Sequence, residues 1–390
     1  MNQKLYPLTL VILFVVGFAV SYFLVPLPEI GPLVSPEVKE KEEVVQAGKP
    51  LVVISPEEPK NQTCPINGLP YTTTEKNLWE KKRPLTIMIE NHKESRPQSG
   101  LSNADIIYEA VAEGAITRLM GVYYCDIAAL DLVVGPVRSA RTYFMDWASE
   151  YSKFPIYVHV GGANTPNKAN ALGQIKDYGW AGANDLNQFG LSVKECWRDY
   201  NRLGHPAATE HTMYCSTNQL YQVAARRTFT ATDPKGDLWT KTYIPWKFGS
   251  IPDGGNGKPA QTVNFDFWTD YSDYQVKWTY DGGSKTYKRE NGGQPHIDNN
   301  TKKQLETGTV IVQFVTETGP IDEEKHMLYG TIGSGNALIF SQGMAFPATW
   351  SKKDRLYRTV YKDAKGKEFQ FVPGKIWIEI LAKNDKVDYN

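Results

Sequence analysis

The sequence predicts an α/β domain followed by a mainly β domain, carried behind a single N-terminal transmembrane helix. Three observations lead there. Between residues 81 and 243, short β-branched or aromatic runs alternate with stretches of helical period. After about residue 244 the helical period vanishes and strand-like runs alternate with Gly- and Asp-containing turns. Residues 5–28 hold no charged side chain, close to the ~20 residues that span a bilayer. A length of 390 residues agrees, being more than twice the usual ~150 per domain.

The anchor comes first. Lys4 precedes it and Glu29, Glu37, Glu40, Glu42 and Glu43 follow it, so the positive-inside bias places the N-terminus in the cytoplasm and the rest outside. The competing reading is a cleaved secretory signal ending near Ala19-Val20-Ser21, which exports the chain equally. Residues 29–60 form a Pro- and Glu-rich tether. Its composition stays extended, with a reach on the order of 100 Å.

The α/β domain, residues 61–243, carries strand-like runs at 85–90 (LTIMIE), 105–109, 119–124, 132–134 and 156–160. A helix is predicted from Pro136, because Val137, Ala140, Phe144, Trp147, Ala148 and Tyr151 recur every three or four residues and Pro suits the first helical position. Further helices are predicted around 167–172 and 216–226. The mainly β domain, residues 244–390, has runs at 263–268, 274–280, 309–316, 337–340 and 375–380, with hairpin turns at Asp281-Gly282-Gly283, Asn291-Gly292-Gly293 and Lys365-Gly366-Lys367.

With 43 Lys and Arg against 43 Asp and Glu, the formal charge is zero, which excludes a general polyanion binder and makes nucleic acid no partner. Cys64, Cys125, Cys196 and Cys215 form no CxxC pair, and the six histidines no HExxH. No metal or cofactor is expected. Export permits disulfides; three pairings are open, as is a mixture with free thiols.

Asp105, Glu109 and Glu113 are spaced by four, so they share one face in both helical and strand geometry. On a strand, neighbours in this series lie ~13 Å apart, too far for a glycosidase pair, and Glu90 becomes the better partner of Glu109 if their strands adjoin. The candidate catalytic residues are therefore Glu90, Glu109, Glu113 and His159, the last standing before Gly161-Gly162 at a strand end. Gly135-Pro136-Val137-Arg138-Ser139-Ala140-Arg141 places two guanidiniums one turn apart at the predicted helix start, where free N–H groups favour anions. Arg118, Arg138, Ser139 and Arg141 are the candidate ligand-binding residues. The alternative is that these arginines pair internally with the carboxylates.

Several blocks together are similar to a known family. Arg83-Pro84, Arg96-Pro97-Gln98-Ser99-Gly100-Leu101, Tyr108-Glu109, Ile116-Thr117-Arg118 and the Gly135 to Arg141 block resemble, in order and spacing, the YerB-like family of bacterial envelope lipoproteins. Cys64-Pro65-Ile66-Asn67-Gly68-Leu69-Pro70 looks like its opening segment, and Pro373-Gly374-Lys375-Ile376-Trp377 like part of its C-terminal domain. The resemblance spans about residues 61–382 and implies a two-domain envelope protein of unknown function. Two departures stand out: a transmembrane anchor replaces the lipobox cysteine, and His211-Thr212-Met213-Tyr214 replaces a His-Asn-x-Tyr stretch.

The leading expectation is a membrane-anchored extracytoplasmic protein of the cell envelope that recognises an anionic cell-wall glycopolymer or a cell-wall enzyme. A carboxylate-dependent enzyme cleaving or transferring glycans is the alternative. A structural partner of a membrane-bound synthase is the third.

Overall fold

The computed structural model describes residues 48–251 and 257–390. The predicted anchor over 1–28 and most of the tether lie outside the described residues, and among the described residues no helix is long and apolar enough to cross a membrane. The last stretch of the tether is not free chain: Lys49–Pro50 pairs antiparallel with Leu130–Asp131, and Leu51 N donates to Ala129 O at 2.8 Å.

The strands that position the site are β1 (Leu85–Glu90), β2 (Ile106–Glu113), β3 (Ile116–Tyr123), β4 (Ile156–His159) and β5 (Asp185–Asn187). The C-terminal part adds β6 (Thr262–Phe265), β7 (Val276–Asp281), β8 (Thr286–Asn291), β9 (Thr309–Val315), β10 (Gly333–Ser341), β11 (Met344–Lys352) and β12 (Ile376–Ala382). One sheet of 11 strands runs β5-β4-β1-β3-β2-β12-β9-β10-β11, with Lys258–Pro259 and Val360–Asp363 on β11. It passes through both halves of the chain without a break. The joint is parallel pairing of β12 with β2, Ile376 opposite Ile106 through Glu379 opposite Glu109.

Burial on both faces explains the composition of these strands. Every residue of β1 is buried, as are all but the last of β2, and such strands read as continuous apolar runs rather than alternating ones. The β6–β8 strands instead alternate, forming a smaller antiparallel sheet joined by the turn expected at Asp281-Gly282-Gly283.

Four helices matter: α1 (Thr73–Trp79), α2 (Thr142–Ala148), α3 (Ala171–Asp177) and α4 (Thr217–Arg226). The last begins where expected, capped by Ser216, whose Oγ accepts from Gln219 N at 3.1 Å. The second does not. The predicted helix at Pro136 starts six residues later, because the backbone of 135–141 is extended and bonded to strands on both sides. Val137 and Ala140 are fully buried as expected, but as parts of an extended segment, which a three-residue spacing of apolar groups does not exclude.

All four cysteines are paired. Cys64–Cys125 ties the segment ahead of α1 to the end of β3, and Cys196–Cys215 joins register partners on the short strands Cys196–Arg198 and Met213–Ser216.

Candidate functional site

Strands β1 and β4 pair in parallel from Leu85 opposite Ile156 to Ile87 opposite Val158 and then part. Residues 136–140 fill the gap. Arg138 N donates to Met88 O and Val160 N to Arg138 O, each at 3.0 Å, while Glu90 N donates to Pro136 O at 2.8 Å and Ala140 N to Gly161 O at 3.0 Å. Because β1, β4 and β5 run in one direction, their carboxyl ends (Glu90, His159 and Asn187) share one edge of the sheet. A crevice beyond the carboxyl ends of parallel strands is where open α/β sheets hold ligands.

An ion network is built into this edge. Arg118 is the register partner of both Glu90 and Ala110, so its side chain lies on the face of the sheet opposite Glu109. A β-bulge between Val111 and Glu113 brings Glu113 round to the Arg118 face. Arg118 then bonds Glu113 at 2.7 Å and lies 3.5 Å from Glu90; Arg138 donates to Glu90 Oε2 at 2.6 Å, and Arg141 Nη2 to Glu113 Oε2 at 2.5 Å. Burial alone pushes the Glu113 carboxyl up, but Arg118 and Arg141 outweigh it and hold it down at about 2. Burial likewise works against Glu90, and Arg118 and Arg138 keep it below the usual carboxylate range. Both acids are therefore anionic at neutral pH. Against them stand three guanidiniums, leaving one positive charge in excess.

Beside this network opens a cleft of ≈ 480 Å³ lined by Arg138, Ser139, Gly161, Asn187, Phe189 and Arg198 among others. The Arg138 side chain is 27% exposed here, whereas Arg118 is 0% and Arg141 8% exposed. Of the four expected ligand-binding residues, two therefore reach the cleft, and Arg118 and Arg141 hold the carboxylates behind it. The helix-start geometry expected for Arg138 and Arg141 is absent, since the segment is extended and only Arg141 touches the helix, as the residue before α2. Arg198 and Phe189, which is 75% exposed, are cleft residues the sequence reading missed. Neither stands in a motif.

The expected acid pair does not form. Strand β3 separates β1 from β2, and Glu109 points away from Glu90 to a second, fully buried cluster. There Arg289 Nη2 donates to Glu109 Oε2 at 2.7 Å and Nη1 to Glu379 Oε1 at 2.9 Å, with the guanidinium 4.6 Å from the Trp377 ring and 5.3 Å from Trp278. Thr117 and Asn91 also donate to Glu109. Asp105 joins neither cluster; it accepts from Tyr124 N and Cys125 N, and burial with Asp126 nearby raises its carboxyl to about 7. His159 is buried beneath the cleft floor, with Nε2 2.5 Å from Asp185 Oδ1 and Nδ1 2.5 Å from Gly161 O. Both ring nitrogens are engaged within the fold, so it pins the ends of β4 and β5.

Residues 68–230 match the family model described as "Protein of unknown function (DUF3048) N-terminal domain", and residues 263–378 match the corresponding C-terminal domain. "Putative lipoprotein YerB" of Bacillus subtilis (strain 168) is 29% identical over 336 residues, spanning 85% of this chain and 89% of that protein. The crystal structure of YerB protein from Bacillus subtilis aligns with a TM-score of 0.67 at 25% identity, over 84% of this chain and 99% of that one. The two matched domains and the shared fold thus define a two-domain protein class described as of unknown function. The chain belongs to the YerB-like family.

Proposed function

We propose that the protein is a membrane-anchored, extracytoplasmic envelope protein whose cleft at the carboxyl ends of β1, β4 and β5 holds an anionic group of a cell-wall component. Arg138 and Arg198 would contact the anion, and Arg118 and Arg141 would fix the carboxylates that orient Arg138. The observation that carries this reading is that Arg118, Arg138, Arg141 and Arg198 stand against Glu90, Glu113 and Glu210 at an open crevice, an excess of one positive charge, with Arg138 partly exposed in it. A planar fork suits carboxylate and phosphate alike. The lipoprotein name of the relative supports the envelope location, and the uncharged run over 5–28 supports attachment by a single span.

Recognition is favoured over glycan cleavage by the state of the acids. Glycoside hydrolysis needs one protonated and one ionised carboxyl facing the bond. Here Glu90 and Glu113 are held anionic by arginines, and Glu109 is sealed from solvent. The test is sedimentation of the full chain, in detergent micelles, with isolated bacterial cell walls. Binding is expected to fall in Arg138→Gln and Arg198→Gln and to weaken with added salt. Unchanged binding in both variants, with melting temperatures preserved, would remove the anion reading; release of soluble glycan fragments would favour the enzyme.

A further inference from the structure

We propose that His92, Glu94 and His211 bind a divalent transition-metal ion such as Zn²⁺. Each offers a ligand atom, and these atoms lie within 4.8 Å of one another. The two imidazoles stack with ring centroids 4.8 Å apart and planes 4° from parallel. Linear spacing could not reveal this group, because His211 lies more than a hundred residues beyond the other two.

The second observation is an unfilled valence. The His211 side chain is 7% exposed, yet its Nδ1 has no hydrogen-bond partner; Glu90 Oε2, the nearest carboxylate oxygen, is 3.9 Å away. Buried polar side-chain atoms are almost always satisfied by protein, water or an ion. Nδ1 faces Glu90, so the ion would take Nε2 and leave the Nδ1 proton to point at that carboxylate. On His92, Nδ1 accepts from Glu94 N at 3.3 Å, which leaves Nε2 for a metal.

The backbone is already held at both ends. Ser95 N and Oγ both bond His92 O, at 2.9 and 2.6 Å, and His211 N donates to Ala208 O at 2.9 Å. The strand Met213–Ser216 that follows His211 is tied by the Cys196–Cys215 disulfide. Closing three ligands around Zn²⁺, with bonds of ~2.0–2.2 Å, requires the side chains to draw in by about 1 Å and the rings to tilt. Glu94 is exposed and His92 partly so, which leaves them room to do this. Two imidazoles and one carboxylate form a donor set suited to zinc, with a fourth position open to water or an anion. Glu90, itself held by Arg138, then stands behind His211 as the carboxylate that orients a metal-bound imidazole. This site does not depend on the anion reading of the neighbouring cleft.

The test is equilibrium dialysis of the chelator-treated full chain, in detergent micelles, against Zn²⁺, with Co²⁺ absorption as a second readout. One equivalent of metal is expected, and His92→Ala and Glu94→Gln should each weaken binding at least about tenfold. Their positions at the surface keep the fold intact even if His211→Ala does not fold. His326→Ala tests the rival group Asp322, Glu324 and His326, whose ligand atoms are equally close, and is expected to leave Zn²⁺ affinity unchanged; loss of binding there instead would overturn the assignment. Absence of stoichiometric Zn²⁺ binding, or unchanged affinity in His92→Ala and Glu94→Gln, would overturn the assignment.

Discussion

Glu109 and Glu379 are register partners on adjacent parallel strands, one from each half of the chain, and both bond the guanidinium of Arg289. One cation thus serves two acids that are fully buried. Burial, more than any other influence, pushes the Glu379 carboxyl well above its ordinary range, with Arg289 opposing and Glu109 reinforcing the rise. The environment therefore favours Glu379 as the neutral acid beside Arg289.

Arg289→Met should destabilise the protein by about 3–5 kcal/mol, the cost of leaving a buried charge uncompensated. Glu379→Gln should be mild at acidic pH, since an amide reproduces the neutral acid. The sign follows from the raised carboxyl: its contribution is complete below the ordinary carboxylate value, where folded and unfolded chains are both protonated, and is lost as pH rises from there through the folded-state value. Relative to the parent chain, Glu379→Gln should therefore gain stability toward alkaline pH. Chemical denaturation at pH 5 and pH 9 would read both effects.

Glu113 gives the opposite dependence. Its carboxyl, held at about 2 against an ordinary 4.5, contributes stability that is complete above the unfolded value and disappears as pH falls toward 2. The contribution is on the order of 3 kcal/mol. Glu113→Gln should be markedly less stable at pH 7, and the gap should close between about pH 5 and pH 2, as followed by thermal melts.

The Cys64–Cys125 bridge closes a loop with a sequence separation of 61 residues. Chain-entropy reasoning gives about 4 kcal/mol for a loop of this size. The Cys64→Ala/Cys125→Ala variant should unfold at correspondingly lower urea concentration, whereas the shorter Cys196–Cys215 loop should cost less when removed the same way.

Gly135 has φ +153°, and a Cβ there would stand 2.6 Å from Met213 O and 2.8 Å from Tyr214 Cδ1. Gly135→Ala should displace the segment that carries Arg138, costing about 1–3 kcal/mol. Cell-wall binding should fall together with the melting temperature.

The local elements were the legible part. Strand β1 coincides with residues 85–90, the β7–β8 hairpin with its Gly-rich turn, and α4 with its Ser216 cap, because each is decided by neighbours in sequence. Features decided across long separations were hidden. The apolar spacing of Val137 and Ala140 fits a helix equally well, and only the parted ends of β1 and β4 draw that segment into an extended path. The face shared by Glu109 and Glu113 in a regular strand is broken by the Val111/Glu113 bulge, which sends the two acids to different clusters. One missed residue did leave a trace: Glu379 sits inside the apolar run IWIEILA, where a lone carboxyl implies a buried partner.

The placement of β12 has a consequence for biogenesis. This strand lies in the middle of the large sheet, between β2 and β9, yet comes from residues 376–382, far along the chain from β2 at 106–113. Until those residues emerge, β2 presents an open edge of backbone donors and acceptors on an apolar ribbon, a template for unwanted pairing. Completion of the sheet must wait for residues 376–382 to reach β2, so folding of the first half cannot be finished before the second half is made. Neither half is a module that could be inherited or transplanted alone with its sheet complete.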